Sequence, residues 1–351
     1  MQIFSAARRI VLSLSWLYLA LLAAWFTLNL LTGDRFALIG LITLLAVYLF
    51  VPLPAIGLAA LVFRRPALGA GALAGGLVVV WIWGGLFLPP PAVPAAPGPA
   101  LRVLTFNVLA THNQWQPLAA TIQAADADVV MLQELNPAHA AELQAALGEK
   151  YPYAVLEPRP NATGIGVLSK YPLAPAPPGQ GLPEEAAGLA WIGGPQVLTL
   201  TWEGETVTLV NFHMRSTPRV RNLARVAADF QQRNQQARIL AEIGRRPGPV
   251  ILAGDANSVP LSDAHRILTT TLYDAWQAAG FGLGHTFPSR STVPGSDRVQ
   301  IGEWYVPPWL ARIDYVFHNA YWQTAAARLA TVDGVSDHRG LMVELIRRDP
   351  D

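Results

Sequence analysis

The sequence predicts an α/β domain over residues 101–351, preceded by three membrane-spanning helices. Three features carry that reading: an apolar N-terminal quarter, a proline-rich spacer, and a C-terminal region where short apolar runs alternate with helical stretches. Of the 351 residues, 52% are hydrophobic and 14% are charged, against about 25% charged in ordinary soluble domains. The excess apolarity is local. Between Val11 and Leu88 the only charged residues are Asp34, Arg35, Arg64 and Arg65, which leaves apolar runs at 11–32, 36–63 and 67–88. Each exceeds the roughly 18 residues a spanning helix needs. A secretory signal has a single apolar core of about 7–15 residues, which does not fit three successive runs. Pro52 and Pro54 are predicted to kink or interrupt the second helix.

Orientation follows from the arginines. Arg8 and Arg9 precede the first run, and Arg64 and Arg65 separate the second from the third. Basic residues stay cytoplasmic. The expectation is a multi-pass protein of the cell membrane with a cytoplasmic N-terminus. Residues 1–88 form its membrane region, and PPPAVPAAPGPA (89–100) is a semi-rigid Pro/Ala-rich linker. Residues 101–351 form a catalytic domain on the outer, exoplasmic face. That domain contains no cysteine, so its stability must come from its core, and its length permits a large one. The first 100 residues carry five arginines and one aspartate, +4 of a chain total of +1, leaving −3 for the rest. A duplex-binding domain normally shows a basic balance, so charge argues against nucleic acid, although Arg215, Arg219, Arg221 and Arg225 cluster.

The outer elements follow in order. LRVLTFNVL (101–109) reads as a strand. Residues 117–135 read as a helix and then a buried strand ending at Glu134, and 163–173 as a strand and turn. Residues 197–214 alternate in polarity around Glu203-Gly204, the mark of a hairpin. Residues 219–244 read as a long amphipathic helix closed by Gly244. PVILAGDANS (249–258) is a buried strand entering a polar turn, and 311–319 and 340–346 are the last two strands. The irregular segment 282–310 reads as a surface loop. Nearly every strand ends beside a residue able to bind a cation or move a proton: Asn107, Glu134, His213, Asp255, Asn257, Asp314, Asp337 and His338. One acid at a strand end is usually a cap; eight complementary groups at one set of ends point to an assembled site.

The ordered motifs TFNVL, MLQEL, NFHMRS, AGDANSVP, RIDYVFHN and SDH resemble those of the endonuclease/exonuclease/phosphatase superfamily, from about Leu101 to Ile346. The resemblance implies a four-layered α/β sandwich of two packed, mostly antiparallel sheets flanked by helices. It implies that Glu134, with Asn107 and Asp337, binds Mg2+, with Mn2+ as the alternative ion. His338 would stand beside the scissile phosphate, oriented by Asp314. Asp255 would position or deprotonate the attacking water, Asn257 would hold the phosphate, and His213 would donate to its developing charge. Leu109 stands where many nuclease members carry an acid, which argues against a second metal. Arg215 is a candidate phosphate clamp. His112, His139, His265 and His318 read as surface or loop residues. His285 is placed to line the site, and Trp304 and Trp309 to lie at a membrane interface or to pack.

A domain tethered to membrane helices meets lipid headgroups at high effective concentration. The expected substrate is therefore a membrane lipid or lipid-linked phosphate. The layout is also similar to teicoplanin-resistance-type membrane proteins, which implies polyprenyl phosphates, and GPI-anchor remodelling is a related possibility. The alternatives are an exoplasmic metal-dependent nuclease and a module that binds a phosphorylated ligand without turnover.

Overall fold

The computed structural model describes residues 2–90, 98–111, 115–217, 222–289, 300–301, 304–305, 307–330 and 335–348. Most of the linker, His112, Arg219, Arg221 and the side chain of Trp304 lie outside the described residues. The chain divides into two compact units, Met1–Leu88 and Pro89–Asp351.

The N-terminal unit comprises α1 (Gln2–Thr32), α2 (Ala37–Thr43), a 3-10 turn (Ala46–Phe50), α3 (Leu53–Val62), α4 (Pro66–Trp83) and a closing 3-10 turn (Gly84–Phe87). Ser5–Thr32 and Pro66–Phe87 are long and apolar enough to cross a membrane, whereas Ala37–Thr43 and Ala46–Val62 meet at 77°. The sharp bend thus falls at Leu44–Leu45, ahead of the prolines. Pro52 and Pro54 instead open α3, where a missing N–H forfeits no helical bond. The segment after the bend runs the length of the unit. Phe50 packs against Trp25 and Trp83 at ring distances of 6.3 and 5.6 Å. Phe63, at the other end, lies 5.9 Å below the Arg8 guanidinium. α2 is tied to the distal end of α1 by a buried hydrogen bond, 2.8 Å from Asn29 Nδ2 to Thr43 Oγ1.

The second unit begins with β1 (Ala100–Asn107), α5 (Trp115–Ala125), β2 (Val129–Gln133), α6 (Pro137–Leu147), β3 (Tyr153–Glu157), β4 (Ile165–Ser169) and β5 (Leu173–Pro175). It continues with β6 (Gly193–Trp202), β7 (Glu205–His213), α7 (Leu223–Gly244), β8 (Val250–Asp255), α8 (Asp263–Leu268), β9 (Tyr273–Asp274) and α9 (Ala275–Ala279). It ends with β10 (Gln300–Ile301), β11 (Trp304–Tyr305), β12 (Asp314–His318), β13 (Trp322–Leu329) and β14 (Leu341–Arg347). Two large mixed sheets form, in the orders β13-β14-β1-β2-β4-β3 and β5-β6-β7-β8-β12-β9. Among the described residues each holds one parallel pair, β1/β2 and β7/β8, at its centre. A parallel pair needs a crossover of a dozen residues or more, usually a helix; α5 and α7 supply it.

Alternation along the strands sets the layers. Leu104, Phe106, Val130 and Leu132 join Leu118, Ile122 and Leu143 of α5 and α6 in one core. Val210, Phe212, Leu252 and Phe317 join Leu240, Ile243 and Leu268 of α7 and α8 in another. The intervening residues of each strand must then face the opposite sheet. There Asn211 donates to Leu132 O and Gly166 O at 3.1 and 3.0 Å and accepts from Gln133 Nε2 at 2.7 Å. The result is the expected helix–sheet–sheet–helix sandwich, with the two sheets meeting face to face.

Three histidines depart from their expected surface placement. His139, His265 and His318 are all buried. His265 Nε2 pairs with Asp274 at 2.9 Å, and His318 Nε2 with Thr324 Oγ1 at 2.8 Å. The segment 282–310 is only partly a surface loop, since Thr286 and Ser289 are buried.

Candidate active site

The period of two that builds the cores also builds the site. With Leu104 and Phe106 facing the helices, Thr105 and Asn107 face the other sheet. Likewise Phe212 faces α7, so His213 and the register-matched Asp255 face the first sheet. Antiparallel β12 then sets Asp314 directly opposite Asp255. The C-terminal ends of both parallel pairs and the N-terminal end of β12 thus meet between the sheets. The turn before β14 closes the site by donating Ser336 Oγ to Asn107 O at 2.7 Å.

Seven of the eight sequence-derived residues join one network there. Asn107 Nδ2 donates to Glu134 Oε1 at 3.2 Å and to Asp255 Oδ2 at 3.1 Å, while its Oδ1 accepts from Leu109 N. That backbone donor fixes the amide with its nitrogen toward the carboxylates. Asn107 is thereby placed to orient Glu134 and Asp255. Asp255 Oδ2 also lies 3.4 Å from His213 Nε2 and 3.8 Å from His338 Nε2. His338 Nδ1 pairs with Asp314 Oδ2 at 2.8 Å. Asn257 N donates to Asp255 Oδ1 at 2.8 Å, and its Nδ2 donates to Met214 O at 3.1 Å. The eighth residue, Asp337, accepts from Ser289 N at 2.7 Å through its carbonyl and from Ser336 Oγ at 3.4 Å through its carboxylate. Leu109, Glu134 and Asn257 adopt left-handed backbone, with φ of 57°, 58° and 48°. Such conformations are disfavoured for side-chain-bearing residues and cluster where surrounding structure enforces them.

Electrostatics divides these groups. Burial pushes the Glu134 carboxyl up, and the neighbouring Asp337 charge adds to it; burial likewise raises Asp337. Burial and then Asp314 raise Asp255. Burial, with His338 nearby, holds His213 down to about 3, so it is neutral in the fold. Burial alone would lower His338 as well, but the charge and hydrogen bond of Asp314, then Asp255 and Asp337, outweigh it and hold it well above its ordinary value. The site pairs a charged imidazolium with Asp314 and leaves Asp255 short of compensation. Two half-buried carboxylates, Glu134 and Asp337, with raised affinities for protons are also the condition a hard divalent cation relieves. Such an ion needs few protein oxygens beside water and phosphate. Asp255, Asp314 and His338 also place one donor atom each within 4.8 Å of one another. There Asp314 is paired with the His338 imidazole, whereas the Glu134 and Asp337 carboxylates are half-buried and raised in proton affinity, so we favour those two for the ion.

Two contacts were not legible in the sequence. Thr286 Oγ1 accepts from Ile313 N and Asp314 N at 3.1 and 3.3 Å, and the Phe287 ring lies 4.9 Å from the His338 ring. Both residues sit beside the flagged His285, whose own Nδ1 hydrogen-bonds Trp309 O. The Arg339 guanidinium lies 5.8 Å from the Trp309 ring, so Trp309 makes a contact within the domain. Arg215 Nε is engaged by Asp229 at 2.9 Å, which ties one edge of its guanidinium to α7.

Comparison with known proteins adds an independent line. A family profile described as the Endonuclease/Exonuclease/phosphatase family matches residues 104–338, from within β1 to His338. Similar solved structures include an endonuclease/exonuclease/phosphatase from Beutenbergia cavernae DSM 12333 at 22% identity, covering 71% of this chain and 72% of that one with a TM-score of 0.51. A family protein from Bacteroides thetaiotaomicron aligns at 17% identity over 71% and 95% of the two chains, TM-score 0.51. D. rerio TDP2 complexed with single strand DNA product aligns at 17% over 70% and 99%, TM-score 0.50. At these identities the likeness is one of fold. No curated protein matches the chain significantly.

Proposed function

The chain belongs to the endonuclease/exonuclease/phosphatase family, whose members are metal-dependent hydrolases of phosphate esters, and on that premise we propose a membrane-anchored, Mg2+-dependent phosphoesterase acting on a membrane lipid or lipid-linked phosphate from the outer face. The observation that carries the hydrolytic reading is the shared position of Asp255. It touches Asn107 at 3.1 Å, His213 at 3.4 Å and His338 at 3.8 Å, and it is the group whose charge is least compensated.

In this reading Asp255 accepts a proton from the attacking water, an office suited to a carboxylate with a raised proton affinity. His338, charged and held by Asp314 through Nδ1, presents Nε2–H to a phosphate oxygen. Neutral His213 and the second amide N–H of Asn257 add donors to the same charge, which are often worth a few kcal/mol each in a transition state. Asn107 keeps Glu134 and Asp255 apart and aimed. Glu134 and Asp337 would hold the cation, which when bound supplies Lewis-acid polarisation of the phosphate. The P–O bond to the leaving group breaks, and the departing oxygen is protonated by solvent.

The lipid substrate is supported by the apolar helices of the first unit and by the −3 balance of the remainder. A second reading, a nuclease, is favoured by the single-strand DNA product bound to the TDP2 homologue. The deciding experiment uses the full chain in nanodiscs with Mg2+, against polyprenyl pyrophosphate, mixed phospholipid and plasmid DNA, with His338→Ala as control. Phosphate or headgroup release that disappears in the variant, with DNA intact, is the expected result. Nicking that disappears in the variant would replace the lipid reading with the nuclease.

A further inference from the structure

The membrane unit carries a feature that phosphoester chemistry does not use and that stands whether or not the proposed activity does. α3 ends in a C-terminal motif in which Arg64 N donates to Leu61 O at 3.2 Å and Arg65 N to Ala60 O at 2.8 Å. The residue between these bonds normally has left-handed backbone and is usually glycine. Here it is Arg64, with φ of 51°. The turn therefore accepts a conformational cost to set two exposed arginines side by side. Both line a groove of about 370 Å³ with Leu12, Ser13 and Trp16 of α1. The only acidic residue in the unit, Asp34, follows α1 and lies at the opposite end.

A second groove, of about 410 Å³, runs between α1 and α4 and is lined almost wholly by apolar side chains. Its floor is small: Gly71, Ala74 and Gly75 on α4 face Leu19, Ala23 and Phe26 on α1. Trp16 lines both grooves, so the cationic pocket and the apolar one are neighbours along α1. Along α1 the apolar groove runs from Trp16 to Phe26, and 10 residues at ~1.5 Å give roughly 15 Å, the depth of one leaflet's hydrocarbon. A polar end with two unopposed guanidiniums and an apolar channel of leaflet depth are the two halves of an amphiphile.

We propose that this end of the membrane unit is a binding site for an anionic phospholipid. Its phosphate is held by Arg64 and Arg65, and one acyl chain lies along the α1–α4 groove past Trp16. Guanidinium forks match phosphate oxygens bidentately, and basic pockets between membrane helices take anionic headgroups. The geometry selects charge at the head and length in the tail. Inorganic phosphate lacks the tail, and a zwitterionic lipid sets a cationic group beside its phosphate and brings no net negative charge to the arginines.

The test is lipid binding by the full-length protein, read by native mass spectrometry and by thermal shift in detergent. The probes are phosphatidylglycerol, phosphatidylcholine and inorganic phosphate. Two basic residues near a headgroup correspond to a preference of roughly 30-fold for phosphatidylglycerol over phosphatidylcholine, with no shift from phosphate alone. Arg64→Asn/Arg65→Gln should abolish that preference, since asparagine keeps the left-handed turn and removes only the charge. Arg35→Gln/Arg238→Gln removes the same net charge elsewhere and should retain it. Ala74→Phe fills the apolar groove at an exposed position and should weaken both lipids alike. An equal loss in both arginine double variants would reduce the effect to diffuse surface charge and overturn the site, as would an unchanged preference in the first. Full retention of binding in Ala74→Phe would overturn the acyl-chain assignment.

Discussion

His338 and His318 show how neighbours decide what the same side chain does. His338 is fully enclosed yet charged, because Asp314 meets its Nδ1 at 2.8 Å. Asp314→Asn keeps the shape and removes the charge, so kcat should fall about 10²–10⁴-fold, the usual weight of a positioned proton-transfer group. A fall under tenfold would mean that His338 is not held by this pair. His318 has no carboxylate at hydrogen-bond distance, and burial pushes it down to about 4. It is neutral in the fold and would protonate near 6.5 when unfolded. Its contribution is complete above pH 6.5 and is lost as pH falls toward 4. Between pH 6.5 and 4.5 the wild type should lose roughly 2–3 kcal/mol more stability than His318→Gln. Parallel curves from denaturant titration would contradict the buried neutral imidazole. The strand-end residues were legible because each lies at a fixed place in an apolar run. The burial of His139, His265 and His318 was not, because a partner such as Asp274 or Thr324 is set by tertiary pairing that spacing along the chain does not encode.

Elements whose own pattern matches their final state were readable. β6 and β7 alternate around Glu203-Gly204, whose positive φ values of 49° and 80° are those of a tight hairpin. β13 was not readable. Ala325, Ala326 and Ala327 favour helix, and the segment is a strand because it pairs with β14, with a register shift between Thr324 and Ala326. The bend at Leu44–Leu45 had no proline to announce it. At the centre of the second sheet, a Cβ on Gly254 would lie 1.9 Å from Phe212 O, in the parallel pairing that aligns His213 with Asp255. Gly254→Ala should therefore cost on the order of 3 kcal/mol and lower the melting temperature by about 6–12 °C. It should depress activity further by shifting two strand ends. A melting temperature within 2 °C or so of wild type, at that scale, would show that the strands can separate freely.

At the scale of the whole molecule, the absence of cysteine makes topology directly testable, since any introduced thiol is unique. Phe36→Cys in the α1–α2 turn and Ala187→Cys in the second unit should react with an impermeant maleimide on intact cells. Ala67→Cys, beside Arg64 and Arg65, should react only after permeabilisation. The reverse pattern would invert the orientation drawn from the arginines. The central placement of both parallel pairs has a consequence for how this enzyme fails. β1, β2, β7 and β8 are the innermost strands of their sheets, and their amides should be among the slowest to exchange with solvent, since core strands open only with the whole fold. Sites built on loops can melt early and leave a folded but inactive shell. Here Asn107, His213 and Asp255, three residues of the proposed site, are anchored in the last structure to be lost, so heat inactivation and global unfolding should share a single midpoint.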